Sequence, residues 1–407
     1  MTRRQRVVRG FDEKYVCPDC IDDYAIKEFI NENATNTSCH YCGKSSEQAI
    51  STAIEEVADF ILARLWDEWD DPNECMGWED GYVGATLYDT EDLIRDEVDL
   101  GYSNQGALDD LVSICSQKEQ HSWCQKDPYG LRKEDALYLS WNSFCEQVKH
   151  TSRFNFLRID SPGDKEDDQF SDLRDTIPAS KMLDRISKEL TQLEEDVQVI
   201  KELDPNVIVW RTRIHPSVEH YNTAKDLGTV PVEKANQSNR MSPAGIPMFY
   251  GAFDSETAIV ETTSGKDVAG QIATTGVFKN VKTLKILDLT TLPEVPSLFD
   301  ESRNYLRSIL IFMREFVRDL SRPISKDGMV HIDYVPTQMF TEYIRYVHQD
   351  INGDNINGII YPSSQKADGK AIVLFLENKN CVDKPSAGSN YSADAYLMLD
   401  KVERRSL

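Results

Sequence analysis

A tyrosine and a glutamate, Tyr250 and Glu261, lie close together in residues 239–261, NRMSPAGIPMFYGAFDSETAIVE. Residues 247–253 combine apolar and aromatic side chains that favour a half-buried strand, and the Asp-Ser pair that follows is typical of a helix start. The helix would carry Glu261 on its second turn, so that a ring and a carboxylate face one cleft. In an arbitrary strand–turn–helix, by contrast, Tyr250 would be a core residue and Glu261 a solvated one.

Polar residues at the ends of other predicted strands supply the rest of such a site. Residues 207–213 are rich in β-branched and aromatic side chains and contain Arg211 and Arg213 at alternate positions, one of which we expect to point inward. Further along, GIIYPSS at residues 358–364 and AIVLFL at residues 371–376 predict two buried strands joined by a polar loop. An arginine, a tyrosine, a glutamate and a serine therefore follow one another at strand ends.

These segments resemble the RES-domain family, which takes its name from an arginine, a glutamate and a serine. The resemblance covers residues 205–385. It depends on the Trp-Arg pair that ends at Arg211, the NRMSP segment with Arg240, the FYGA turn, the spacing from Tyr250 to Glu261, and the YPSS loop with Ser363 and Ser364. It implies a mixed β-sheet domain with a fold similar to that of ADP-ribosyltransferases.

The resemblance also implies an enzyme that degrades NAD, usually as the toxin of a toxin–antitoxin pair. The catalytic residues that it implies are Arg211, Tyr250, Glu261 and Ser363. The residues that it implies for NAD binding are Arg211, Arg240, Tyr250, Ser363 and Ser364. The choice between the two serines stays open at this point. Gln338 and Glu342 lie on a predicted helix at the border of the site, without an assigned role.

The residue types suit cleavage of the bond between nicotinamide and ribose. The leaving group is already cationic, so the reaction needs no general acid and has a transition state like an oxocarbenium ion. The Glu261 carboxylate would stabilise the ribosyl cation, or hydrogen-bond a ribose hydroxyl or a nucleophile. Arg211 and Arg240 would hold the diphosphate with bidentate donors, and Tyr250 would offer a flat face to the nicotinamide ring.

Other nucleotide-binding and hydrolase motifs are missing from the sequence. It contains no complete P-loop, no GxGxxG after a predicted strand, no GxSxG and no HExxH. The acceptor of the ADP-ribosyl group leaves no spacing signature, so hydrolysis, phosphorolysis and transfer to a macromolecule all stay open. A further alternative, from a different class, is a catalytically idle NAD-binding module.

Two CxxC motifs near the N-terminus predict a structural zinc site. Cys17 and Cys20 are followed, after 18 residues, by Cys39 and Cys42, a spacing at which each pair places two thiolates on one side of a tetrahedral ion. The sequence shows no signal peptide and no apolar run of membrane length, so we expect a cytoplasmic protein with reduced thiols. Two disulfides or four incidental thiols are the alternative.

Residues 46–155 predict an acidic helical domain. Apolar residues from Ile50 to Trp69 recur at spacings of three and four, as on an amphipathic helix. Residues 55–110 hold 18 acidic against two basic residues, which argues against nucleic acid as a partner. Solvated helix faces and a docking surface for a basic partner both stay open. This half resembles the HEPN-related domain that precedes some RES domains, but it lacks the Arg-His spacing of HEPN ribonucleases, which implies a non-catalytic member.

The chain of 407 residues is thus predicted to be an α+β protein. The expected order is a zinc-knuckle segment (1–45), the acidic helical domain (46–155), a linker and helix (156–204), the RES domain (205–385) and a C-terminal tail (386–407). Apolar spacing from Met182 to Ile200 predicts one helix of about six turns. The expected partners are NAD, an antitoxin or regulatory protein and a second copy of the chain, whereas membrane and nucleic acid are not expected.

Overall fold

The computed structural model describes residues 13–79, 81–158, 176–323, 329–386 and 390–407. The chain divides into two compact units. The first comprises Met1–Leu131 and Val295–Arg307, and the second comprises Arg132–Glu294 and Ser308–Leu407. Residues 160–175, part of the predicted linker and helix at 156–204, lie outside the described residues.

The first unit is mostly helical. Its helices are α1 (Tyr24–Glu32), α2 (Ile54–Glu68), α3 (Pro72–Cys75), α4 (Thr90–Asp92), which continues into a π-helical turn (Leu93–Glu97), and α5 (Gln105–Lys118). Its short strands are β1 (Tyr15–Val16), β2 (Thr52–Ala53), β3 (Trp69–Asp70) and β4 (Cys124–Gln125). β1 pairs with β2 and β3 pairs with β4, both antiparallel.

Helix α2 forms the centre of this unit because its apolar residues share one face. Val57, Ile61 and Leu65 are completely buried and belong to one hydrophobic core. The helix begins at Ile54, later than the spacing from Ile50 predicts. The reason is that the two residues before it are taken up as β2, which pairs with β1.

The segment Val295–Arg307, distant in sequence, completes the first unit. Phe299 is buried in the same core and its ring centroid lies 6.4 Å from that of Phe60. The Tyr24 hydroxyl donates to Asp300 Oδ2 at 2.6 Å. The segment is therefore fixed by both apolar packing and a polar contact.

The second unit contains a mixed sheet. Among the described residues the sheet has nine strands: β5 (Ile200–Leu203), β6 (Ile208–Pro216), β7 (Phe249–Ala252), β8 (Gln271–Asn280), β9 (Leu284–Asp288), β10 (Gly358–Pro362), β11 (Lys370–Leu374), β12 (Cys381–Asp383) and β13 (Leu397–Ser406). Their order is β12-β13-β8-β6-β7-β11-β10-β9-β5, in which the β9–β10 and β12–β13 pairs are parallel and the others antiparallel. A helical first unit and a mixed sheet in the second confirm the predicted α+β class.

Helices of the second unit flank this sheet. They are α6 (Lys133–Glu146), extended by a π-helical turn (Gln147–Thr151), α7 (Ala179–Asp196), α8 (Ala224–Leu227), α9 (Ser255–Thr263), α10 (Arg307–Ser321), α11 (Val330–Asp333) and α12 (Val335–Tyr346). Single 3-10 turns lie at Phe156–Arg158, Val232–Lys234 and Asn378–Asn380 in this unit, and at Pro18–Cys20 and Asn304–Leu306 in the first unit. In the ranges that the structure describes, no helix has the length and apolar character needed to cross a bilayer.

Two predicted elements end differently in the structure. The helix expected from Met182 to Ile200 stops at Asp196, and Ile200 begins β5, which pairs with β9. The tail expected at residues 386–407 contains β13, a strand in the sheet that pairs with β8 along its length. In both cases, pairing with a strand distant in sequence decides the structure, and local apolar spacing does not reveal it.

The short strand β7 brings the candidate residues together. It lies between β6 and β11, with Trp210 and Ala371 both opposite Ala252. Helix α9 follows it directly, after Asp254, whose side chain accepts from the Thr257 N–H at 2.8 Å and caps the helix. The cap fixes the direction in which α9 leaves the sheet, and thereby the position of Glu261.

We expect Asp254→Ala to weaken α9 by about 1 kcal/mol, the usual cost of losing such a cap. Amide hydrogen exchange in the helix should rise about five-fold. Burial raises the pKa of Asp254, but hydrogen bonds from Thr257 and Lys366 outweigh it and leave the pKa below its usual value. The stabilisation should therefore be present above the usual carboxyl pKa and be lost as the pH falls through the lowered one.

The matched control is Glu256→Gln, which removes an exposed ion pair with Lys366 but keeps the cap. An exchange rate in Asp254→Ala no higher than in this control would contradict the assigned role of Asp254.

Candidate active site and metal centre

Glu261 and Ser363 form the centre of the candidate site. Glu261 lies on the second turn of α9, as the sequence predicts, and Ser363 lies just after β10. The Ser363 hydroxyl donates a short hydrogen bond to Glu261 Oε1. Its oxygen in turn accepts from the N–H groups of Gln365 and Lys366, at 3.2 Å each. The loop backbone therefore fixes the serine, and the serine orients the carboxylate.

Ser364 has a different environment. Its hydroxyl accepts from Nε2 of Gln365 at 2.9 Å, and the Oε1 atom of the same Gln365 accepts from Ser264. Of the two serines that the sequence leaves open, the structure brings Ser363 to the glutamate.

Tyr250 lies on β7 and its side chain is largely enclosed. Its hydroxyl hydrogen-bonds to Ser242 Oγ at 2.9 Å, and burial raises its pKa. A second tyrosine, Tyr361, is buried at the end of β10. Burial is the main cause that raises the pKa of Tyr361, and the nearby charge of Glu261 and the Tyr250 side chain raise it further. Sequence reasoning passed over Tyr361, although it ends a buried strand next to the serine loop.

Arg211 and Arg213 both point to the same side of β6. Arg211 Nε and Arg213 Nη2 donate to the Gly228 carbonyl at 3.1 and 2.9 Å, and Arg211 Nη1 donates to the Tyr250 carbonyl at 2.5 Å. The expectation that only one of them points inward is wrong, because alternate residues on a strand share a face. Burial lowers the pKa of both, and Arg213 lowers that of Arg211 further, but a guanidinium still stays protonated.

Gly228 is needed where these two arginines meet. A β-carbon at this position would lie 2.6 Å from both the Ala224 carbonyl oxygen and Cys381 Cβ. Because Gly228 has no side chain, the turn after α8 can pack against β12. In this position the Gly228 carbonyl accepts hydrogen bonds from both arginines. No spacing rule in the sequence marks this glycine.

Arg240 holds the C-terminal end of α10. Its Nη1 and Nη2 atoms donate to the carbonyls of Leu320 and Arg322 at 2.7 and 2.9 Å, and its guanidinium lies 5.4 Å from the ring centroid of Tyr334. Arg240 thus binds carbonyls that a helix end leaves without partners. Gln338 on α12 fixes the same segment by donating to the carbonyl of Asn239 at 2.7 Å.

A cavity of about 560 Å³ adjoins the Glu261–Ser363 pair. Ser363 and Ser364 contribute to its wall, and another part of the wall comes from α10 and the residues after it. A cavity of this size can hold a small ligand or a large part of a dinucleotide.

The four predicted cysteine ligands come together in the first unit. The Sγ atoms of Cys17, Cys20, Cys39 and Cys42 all lie within 4.8 Å of one another. The Sγ separations are 3.9 Å for Cys17–Cys20, 3.5 Å for Cys17–Cys42 and 3.7 Å for Cys20–Cys39. This cluster can bind a metal ion.

The surroundings of the cluster affect its thiols differently. Burial raises the pKa of Cys17 to about 11 and also raises that of Cys20. Burial acts in the same direction on Cys39, but N–H groups of Cys42 and Tyr41 outweigh it and lower its pKa to about 7. Backbone donors directed at a sulfur favour the thiolate, which is the form that binds metal.

Comparison with known protein families identifies two domains in the chain. Residues 32–162 match the HEPN/RES N-terminal domain 1, and residues 208–394 match the RES domain. No curated protein and no solved structure matches the chain. The two family matches confirm the resemblance that the sequence motifs indicate.

We expect Ser363→Ala to loosen the loop after β10, because it removes the acceptor of the Gln365 and Lys366 N–H groups. Hydrogen bonds to charged groups contribute about 1.5–3 kcal/mol, so the Glu261 side chain should also lose its fixed position. Hydrogen exchange at Gln365 and Lys366 should speed up at least ten-fold. Ser364→Ala is the control, since it leaves the Ser363 contacts intact, and equal effects of the two substitutions would contradict the assignment.

Proposed function

We propose that the chain cleaves the nicotinamide–ribose bond of NAD, because residues 208–394 match the RES domain and residues 32–162 match the HEPN/RES N-terminal domain 1. The observation that carries the proposal is the hydrogen bond from Ser363, a residue of the cavity wall, to Glu261, which fixes one carboxylate near the buried Tyr361. The nicotinamide ring is cationic while it is bonded to ribose and leaves as a neutral molecule, so the ribosyl group that takes over the positive charge needs an oriented negative charge and the departure needs no general acid. The pair supplies that charge.

In this mechanism Glu261 stabilises the ribosyl cation. Oε1 is held by Ser363, and Oε2 accepts no hydrogen bond from any described residue, which leaves it available to the substrate. Donation by the loop N–H groups into Ser363 Oγ polarises its O–H and strengthens its bond to the carboxylate. The carboxylate therefore needs little rearrangement as the cation develops, which is how fixed charges lower a barrier.

The tyrosines and arginines have supporting roles in the proposal. Tyr250 and Tyr361 enclose the reacting end of the substrate, where Tyr250 presents its ring to nicotinamide. The sequence assigns Arg211 and Arg240 to the diphosphate, but most of their donors are engaged by backbone carbonyls. We therefore assign both as positioning residues, Arg211 for the strand of Tyr250 and Arg240 for the end of α10.

The biological role that we propose is that of a toxin or defence effector that depletes NAD, held in check by an antitoxin or another regulatory protein. Water, inorganic phosphate and a macromolecule are the three acceptors that fit the chemistry. Each gives a different product: ADP-ribose, a phosphorylated ADP-ribose or a modified macromolecule.

For the cysteine cluster we propose a structural zinc ion. Zinc bound tetrahedrally by thiolates at about 2.3 Å places neighbouring sulfurs about 3.8 Å apart. The Sγ separations of 3.5–3.9 Å in the cluster fit this geometry. Four sulfur ligands leave no position for water or substrate, so the ion would stabilise the first unit and take no part in the chemistry.

We expect the purified full chain to release nicotinamide from NAD, and Glu261→Gln to lower kcat on the order of 10²- to 10³-fold. KM should change little, because the carboxylate acts on charge that develops in the transition state. Chromatography of NAD with and without phosphate in the buffer measures turnover and identifies the product. Growth arrest on expression should disappear with the same substitution.

The matched control is Glu256→Gln, the same change on an exposed residue of the same helix. Turnover by Glu261→Gln equal to that of the control would eliminate the proposed mechanism.

We expect about one zinc ion per chain, lost on Cys17→Ser with Cys42→Ser. Because binding of a structural zinc contributes to folding, the region around the cluster should unfold in this variant or with a strong chelator. Elemental analysis measures the metal, and hydrogen exchange of β1 and β2 measures the unfolding. Cys145→Ser, in α6, is the control. Stoichiometric zinc in the double variant would rule out the assignment.

A further inference from the structure

The cavity beside Ser363 is cationic in a strongly acidic protein. The chain has a formal net charge of −24. Yet Arg314, Arg318 and Arg322 line the cavity, and none of its described lining residues is an aspartate or a glutamate. Hydroxyl groups of Ser363 and Ser364 also line the cavity, on the side of Glu261. Such a wall suits an anion with several oxygen atoms.

The arrangement of these arginines is unfavourable without an anion. They recur every four residues on α10 and just beyond its end, and all three are exposed. Like charges at this spacing repel each other along a helix. Glu315 forms an ion pair with Arg318, and Asp319 is also near, but neither carboxylate lines the cavity. A bound anion would offset the remaining repulsion.

The described contacts leave donors for such an anion. Arg314 uses Nε and Nη2 on the carbonyl of Pro293, which orients the side chain and leaves Nη1 unused among the described contacts. Arg322 contributes its carbonyl to Arg240, and no described residue accepts from its guanidinium. A fixed guanidinium with unused N–H groups is a common feature of phosphate sites.

Arg240 removes an obstacle to anion binding at this place. The C-terminal end of a helix carries partial negative charge on its free carbonyls and repels anions. Arg240 donates to two of these carbonyls, those of Leu320 and Arg322, and adds a full positive charge. The end of α10 can therefore face a phosphate.

We infer that this cavity is a phosphate-binding subsite, an inference that rests on the proposed function. The guanidinium groups of Arg314, Arg318 and Arg322 hold the diphosphate of NAD, while the nicotinamide ribose lies at Glu261. In this assignment the three arginines of the cavity bind the diphosphate. Arg211 and Arg240 do not, because most of their guanidinium N–H groups donate to backbone carbonyls. Free inorganic phosphate has the same binding chemistry and is the other source that the experiment separates.

The test measures ligand binding to the full chain by calorimetry, with ADP-ribose and inorganic phosphate as separate probes. Arg318→Gln combined with Arg322→Gln should weaken ADP-ribose binding at least about ten-fold and raise KM for NAD similarly, with kcat nearly unchanged. Neither side chain donates to a described backbone carbonyl, so folding should be preserved. Lys401→Gln with Arg405→Gln removes the same charge from β13 and serves as the control.

A second variant distinguishes lost charge from disturbed structure. Glu315→Gln removes the partner of Arg318, so it should tighten ADP-ribose binding two-fold or more. Damage to α10 would not tighten binding, so tighter binding supports the inference. Unchanged or weaker binding in this variant would count against the inference.

The probes separate the two sources and the two proposals. Weaker ADP-ribose binding in the arginine variant supports the diphosphate, and weaker binding of inorganic phosphate alone supports free phosphate as the ligand. Unchanged binding of both probes overturns the inference. If NAD is consumed with wild-type KM in that variant, the subsite is wrong and the proposed function stands. If ADP-ribose binding depends on the arginines but no nicotinamide is released, the subsite is correct and the proposed function is wrong.

Discussion

The hydrogen bond from Ser363 to Glu261 is the interaction on which the candidate site depends. It joins a helix that follows β7 to a loop that follows β10, although the two residues are far apart in sequence. A glutamate on an exposed helix face would rotate among several conformers and be hydrated. Here the serine, itself held by two loop N–H groups, fixes one carboxylate oxygen, and no described residue donates a hydrogen bond to the other. The sheet order that brings β7, β11 and β10 side by side makes this contact geometrically available.

Arginines stabilise the frame of the site by binding backbone carbonyls. Arg211 joins the turn at Gly228 to the strand of Tyr250, and Arg240 joins its own loop to the end of α10. Buried carbonyls without partners are costly, so these contacts stabilise the turn at Gly228 and the end of α10, where regular hydrogen-bond ladders stop. The same residue type therefore serves two purposes in this domain. Two arginines bind backbone carbonyls around the candidate site, and those on the exposed face of α10 and just beyond its end line the cavity.

Much of the site follows from local sequence. The Asp254 cap places Glu261 on the second turn of α9, because a side-chain acceptor satisfies the first free N–H groups of a helix. Two CxxC motifs bring four thiols within reach of one ion, because each motif is a short turn of fixed geometry. Runs of apolar, β-branched and aromatic residues predict β6, β10 and β11 from local sequence, because a strand is buried through its own apolar side chains.

Long-range pairing accounts for what local sequence does not reveal. Apolar spacing continues from α7 to Ile200, but pairing with β9 turns the last residues into a strand. Apart from Tyr396 to Leu399, the residues after Cys381 show no clear apolar pattern, yet Leu397–Ser406 form β13 because they pair with β8 along its length. The sequence by itself determined which residue types suit the proposed cleavage of NAD and on which elements they lie. Only the tertiary structure decided which serine meets the glutamate, which arginines are engaged by carbonyls and which line a cavity, because these depend on contacts between segments that are distant in the chain.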